Sequence, residues 1–131
     1  MIIKPVMFYS SVLNRRSVCY VGLPDDYDAD ETQRYPVIYL LHGKNGMETD
    51  WLYKGNAEEI IQTMWDKKEL RDAIIVMPND GGYSDGTFYV DWYDGSGNFE
   101  QYIKYDLIPM IDQEFRTYNS RLSRVVGGLS M

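Results

Sequence analysis

The sequence predicts an α/β fold: a mainly parallel sheet with helices on both of its faces. Two continuous apolar runs, Pro36–Leu41 and Ala73–Pro78, predict strands buried on both faces, as parallel strands are. A stretch of helical periodicity follows each run, so strand and helix alternate along the second two thirds of the chain. The chain ends in Val125-Val126-Gly127-Gly128-Leu129-Ser130-Met131, a strand running into Gly-x-Ser. Strand, Gly-x-Ser and a following helix form a nucleophile elbow, the turn that lifts a serine hydroxyl above the carboxyl edge of a sheet.

The elements follow in order. Val6–Ser11 and Ser17–Leu23 read as two strands around a turn at Leu13-Asn14-Arg15. Alternation in residues 16–21 gives the second strand one wet face. Pro24–Arg34 carries five carboxylates (Asp25, Asp26, Asp28, Asp30, Glu31) and reads as a solvated loop. After the Pro36–Leu41 strand comes a glycine-punctuated loop, His42–Gly46. Asn56 suits an N-cap, with Glu59 in capping-box position, and Ala57, Ile60, Ile61, Met64 and Trp65 share a helix face. Lys67 and Lys68 stand at the negative end of that helix.

The Ala73–Pro78 strand opens into a long loop, Asn79–Asn98, rich in Gly, Asp and aromatic residues. Phe99–Phe115 returns to helical spacing, with Ile103, Leu107, Ile111 and Phe115 four apart. Pro109 lies inside that stretch and cannot donate to the Tyr105 carbonyl, which predicts a kink. Residues 123–127 form the last strand, completing the order β-β-β-α-β-α-β in a single domain, 1–131.

Composition narrows the function. The 131 residues, 44% hydrophobic and 15% aromatic, carry a net charge of −7, which argues against a nucleic-acid partner. No apolar run is long enough to span a membrane, and no signal peptide is evident, which points to a cytoplasmic location. The single cysteine, Cys19, falls in a predicted strand and reads as a buried, inert thiol. Asp80, Asp85, Asp91 and Asp94 offer oxygen ligands but fit no EF-hand pattern, so no metal site is expected.

In an open parallel sheet, ligands gather at the carboxyl ends of the strands. Three loops fall there: His42–Gly46, Asn79–Asn98 and the turn at Ser130. Acyl transfer needs a nucleophile, a base, and amide donors aimed at the developing oxyanion. A glycine-rich loop and the amide after the serine are both able to donate. Phe88, Tyr89, Trp92 and Tyr93 suit either of two uses: lining a substrate pocket or packing the long loop onto the sheet.

Leu40-Leu41-His42-Gly43-Lys44-Asn45-Gly46, Trp51, Met77-Pro78-Asn79, residues 105–112 (YDLIPMID) and Gly128-Leu129-Ser130-Met131 together resemble the esterase D-type branch of the α/β-hydrolases. That branch includes feruloyl and acetyl-xylan esterases, tributyrin esterases, S-formylglutathione hydrolase and mycolyltransferases. The resemblance covers nearly the whole chain and implies the N-terminal half of an α/β-hydrolase fold, ending at the nucleophile elbow. It implies Ser130 as nucleophile and the backbone N–H groups of Lys44 and Met131 as oxyanion hole. His42, Gly43 and Gly46 would then support the oxyanion loop, and Trp51, Asn79 and Trp92 would stand at the substrate pocket. No cofactor is implied, and the partner is a small-molecule ester.

The fold's acid and histidine follow the serine in chain order, and Asp91, Asp94 and Asp106 precede it. The resemblance therefore implies a carboxylic-ester hydrolase that works through a serine acyl-enzyme and is inactive as these 131 residues alone. A non-catalytic fragment, or half of a complementing pair, is the alternative from a different class. An acyltransferase of the same family is the third. An uncovered Val125-Val126 edge is further expected to promote self-association.

Overall fold

The computed structural model describes every residue except Ser84, which lies within the predicted 79–98 loop. The strands are β1 (Ile2–Ser10), β2 (Arg15–Leu23), β3 (Val37–Leu41), β4 (Ile74–Pro78) and β5 (Arg124–Gly128). They form one sheet in the order β1-β2-β4-β3-β5. β4, β3 and β5 run parallel, and the β1–β2 hairpin joins them antiparallel through β2. The sheet is thus mixed, and its parallel part carries the loops singled out above.

Burial explains the strand assignments. All five residues of β4 are buried, as an apolar central strand requires. β1 starts four residues before the predicted Val6 and takes in Pro5, which pairs with Tyr20. β1 is an edge strand, where a missing N–H breaks no inner ladder. β5 is the other edge, with Val125 57% and Val126 63% exposed.

From β3 the chain crosses to β4 on one side, then returns past β3 to β5 on the other. The two connections lie on opposite faces. On one face α1 (Asp50–Tyr53) and α2 (Ala57–Asp66) cover the sheet, with Leu52, Ile61 and Trp65 packed against Ile75 and Met77. On the other, Leu107 and Ile111 pack against Val21, Val37, Tyr39 and Val76. That second helix is α3 (Phe99–Gln101), a π-helical stretch (Tyr102–Leu107) and α4 (Ile108–Glu114). The expected break at Pro109 takes the form of this π register. Ile108 N–H reaches back to the Ile103 carbonyl, and Pro109 falls in the first turn of α4, where its missing donor costs little.

Two other local expectations are corrected. Asn56 is left-handed and makes no side-chain cap; its amide instead donates to Glu59 Oε2 at 2.8 Å. The acidic 24–34 segment is anchored rather than wholly solvated. Tyr27 is buried against Tyr35, and the Arg116 guanidinium lies 3.9 Å from its ring centroid.

Candidate active site

β3, β4 and β5 are parallel, so Leu41, Pro78 and Gly128 end on one edge of the sheet. The connections after β3 and β4 leave for opposite faces of the sheet, the arrangement at whose carboxyl edge α/β sheets bind ligands. Leu129 N–H bonds to the Leu41 carbonyl at 3.2 Å, carrying the β3–β5 ladder one step past the strand. Ser130 follows with φ 62°. A left-handed serine directly after a strand makes a sharp, strained turn. Ser130 is exposed.

The His42–Gly46 loop packs directly on this turn. A Cβ added to Gly43 would lie 3.1 Å from the Leu129 carbonyl oxygen and 3.4 Å from Ser130 Cβ. A Cβ added to Gly86 would meet both Met131 Sδ at 2.7 Å and Lys44 Cγ at 3.4 Å. Glycine at 86 therefore lets the long loop close over the two residues whose amides the sequence singles out. Neither the Lys44 nor the Met131 N–H has a hydrogen-bond partner among the described residues. The Lys44 side chain is exposed. Gly46 closes the loop by donating to the Gly43 carbonyl at 3.0 Å, and a Cβ there would collide with Asp50 Oδ2.

His42 is buried, and both ring nitrogens are engaged. Nε2 accepts the Asp80 backbone N–H at 3.1 Å, so Nδ1 carries the proton and donates it to the Gly43 carbonyl at 2.8 Å. A ring so occupied holds the loop and has no nitrogen left to take a proton from a serine.

The partners of His42 come from the long loop. Asp80 is buried and accepts Gly82 N–H and Thr87 N–H, each at 3.0 Å. Thr87, fully buried, returns its hydroxyl to the Asp80 carbonyl at 2.7 Å. The Tyr89 hydroxyl donates to the His42 carbonyl at 2.8 Å. Burial, and then the Asp80 charge, push the Tyr89 phenol well above its ordinary value and keep it a donor. Thr87 and Glu48 carried no sequence signal: their value lies in bonds to residues distant in the chain.

Leu41, His42, Phe88, Tyr89 and residues 126–131 line an open cleft of about 340 Å³ around Ser130. Trp51, Asn79 and Trp92 lie outside the lining of this cleft. The Asn79 amide is occupied by Glu48 at 2.8 Å and by Gly81 N–H at 2.9 Å. Trp51 packs with the α1–α2 cluster. Trp92 packs tilted against Tyr83 and edge-on against Phe99, with its indole N–H on the Thr87 carbonyl at 2.9 Å. The early aspartates are also committed. Asp106 holds Ser10 and Val12 N–H, and Asp91 holds Gln101, whose side chain first of all draws its carboxyl below the usual range. Among the described residues no three His, Cys, Asp or Glu side chains cluster as a metal site.

Residues 10–131 match the family described as "Putative esterase". The chain belongs to this esterase family. It is 32% identical over 137 residues to the endo-1,4-beta-xylanase/feruloyl esterase of Xylanibacter ruminicola, covering 98% of this chain and 18% of that protein. It is 26% identical to the acetyl esterase of Caldicellulosiruptor saccharolyticus, over 100% of this chain and 47% of that one. A solved ferulic acid esterase superposes with a TM-score of 0.91 at 28% identity, covering 99% of this chain and 49% of its own. The ferulic acid esterase of Anaeromyces mucronatus, solved in complex with ferulic acid, gives a TM-score of 0.80 at 26% identity, again over 99% and 49%. The chain thus spans about half the length of the solved relatives, or less of a curated one, and its partial α/β-hydrolase fold is theirs. No helix among its described residues is long and apolar enough to cross a membrane.

Proposed function

We propose that this chain is the nucleophile-bearing part of a carboxylic-ester hydrolase that acts on small feruloyl or acetyl esters through Ser130. The observation that carries this is the left-handed Ser130 at the end of β5, seated against Gly43 of the His42 loop. Ser130 Oγ attacks the ester carbonyl and forms a tetrahedral intermediate. The N–H groups of Lys44 and Met131, unoccupied among the described residues, donate to its oxyanion. Collapse expels the alcohol and leaves an acyl-serine, which water then hydrolyses to the acid.

Each step needs a base to take a proton and return it. His42 is the only histidine and both its nitrogens are bonded. The base and its orienting acid therefore come from sequence beyond residue 131 or from a second polypeptide. The same added segment would cover Val125 and Val126; without it, that edge invites self-association. The 131 residues alone are expected to be catalytically silent.

The test is to trap the acyl-enzyme. The full-length gene product, mixed with p-nitrophenyl acetate and quenched in acid, should carry an acetyl group on the peptide containing Ser130. The 131-residue chain should carry none. Acetylation of another serine, with Ser130 unmodified, would overturn the assignment.

A further inference from the structure

Phe88 is the exposed aromatic in the Ser130 cleft. Its side chain is 48% exposed, and it shares the cleft wall with Tyr89 and Leu129. Its backbone is left-handed, φ 56°, and so is that of Tyr89, φ 55°. Bulky L-residues avoid this region, and glycine takes it freely. Two such residues in succession persist only where their surroundings hold them.

The hold is visible on both sides. Before Phe88, Thr87 is fixed by its two bonds to Asp80 and by the Trp92 indole on its carbonyl. After it, the Tyr89 hydroxyl is fixed on the His42 carbonyl. Packing does not account for the arrangement, because the ring so held stands half in solvent. Tyr83, Trp92 and Phe99 contact one another, whereas Phe88 has no ring partner among the described residues. A rigid, unpaired aromatic face beside a nucleophile suits offset stacking with a planar ring. The cleft of about 340 Å³ is of the size that holds a small ligand.

Resting on the esterase reading, we propose that Phe88 is a specificity-determining residue that selects planar aromatic acyl groups, of the hydroxycinnamoyl class, over acetyl at Ser130. It stacks on the acyl ring, and the hydrogen bonds that hold Thr87 and Tyr89 on either side keep its backbone in place beside the serine.

The experiment uses the full-length gene product with p-nitrophenyl ferulate and p-nitrophenyl acetate, whose shared leaving group isolates the acyl contribution. Phe88→Gly should lower kcat/KM for the ferulate ester about tenfold more than for the acetate ester. Phe88→Tyr, which keeps the ring, should hold that ratio within about threefold of the parent. Glycine suits φ 56°, so the Phe88→Gly melting temperature should equal or exceed the parent's, which separates lost selectivity from lost folding. Equal losses for both esters, an unchanged ratio, or a lower melting temperature accompanied by equal losses would overturn the role of Phe88. Hydrolysis that survives Ser130→Ala would instead overturn the esterase reading itself. A second readout needs no turnover: Ser130→Ala protein should bind ferulate about tenfold more weakly when Phe88→Gly is added. Equal binding would count against the proposal.

Discussion

The long loop after β4 is two structures in one. Its first half, from Asp80 to Tyr89, is a polar clamp. Buried Asp80 and Thr87 bond to each other, Asp80 N–H reaches His42 Nε2, and Tyr89 reaches the His42 carbonyl. Its second half, from Asp91 to Phe99, is an apolar plug. Trp92 N–H and the Gly97 carbonyl pair at 2.8 Å, Asp91 bridges Asn98, and Phe99 is buried beneath Tyr83 and Trp92. Hydrogen bonds are directional and fix position, whereas hydrophobic burial is non-directional and contributes mainly stability. The clamp should therefore govern rate and the plug should govern folding.

The largest effect expected on the clamp side is at Ser130, the proposed nucleophile. In the full-length product, Ser130→Ala should reduce kcat for p-nitrophenyl acetate by about 10⁴–10⁶. Because Ser130 is exposed, the urea midpoint should not fall. More than about a tenth of the activity remaining would remove Ser130 as nucleophile.

On the plug side, Phe99 is 1% exposed, and Phe99→Ala should cost about 3–5 kcal/mol of unfolding free energy. The fraction that stays folded should keep its kcat within about twofold. A folded Phe99→Ala protein with greatly reduced kcat would join the two halves and break the comparison.

Tyr89→Phe sharpens it from the other side. The His42 carbonyl loses its donor at a cost of about 1 kcal/mol. The loop carrying Lys44 loosens, and kcat should fall about tenfold with KM little changed. A loss of stability without a loss of rate would make Tyr89 a packing residue like Phe99.

The smallest effect comes from beneath both halves. Burial first, and Glu48 second, push the Cys19 thiol up to about 12. A folded value above the unfolded one means that folding holds the proton, so this stability is complete below about pH 9. It falls by about 1.4 kcal/mol per unit as pH rises from there toward the folded value. Urea midpoints compared at pH 8 and pH 10 should drop in the parent and drop less in Cys19→Ala. Equal drops would assign the alkaline loss to other groups.

Much of the site was legible because its signals are local. The burial runs of β3 and β4, the helical spacing of α2 and the Gly-Leu-Ser turn each sit within a few residues. The sequence placed His42 and Ser130 in loops at one edge of the sheet, and the structure brings both to one cleft there. The side-chain contacts of Trp51, Asn79 and Trp92 were not legible, because an aromatic or amide in a loop reads the same whether it faces a cleft or a neighbouring side chain. Phe88 and Tyr89 could be named as lining or packing residues, but not told apart from Trp92 or Tyr93.

The sequence by itself determined the alternation of strands and helices and the fully buried β4, because each follows from the periodicity of side-chain burial along one segment. β3, expected to be buried on both faces, is only partly so, with Ile38, Leu40 and Leu41 half-buried near its edge neighbour β5. Tertiary structure alone decided the strand order β1-β2-β4-β3-β5, which sets β4 and β5 on either side of β3. It also decided the hydrogen-bonded nitrogens of His42, the π register before Pro109 and the left-handed backbone of Phe88. These features come from contacts between residues tens of positions apart. Such pairings leave no period in the sequence, since each is fixed by the one geometry in which several distant segments meet.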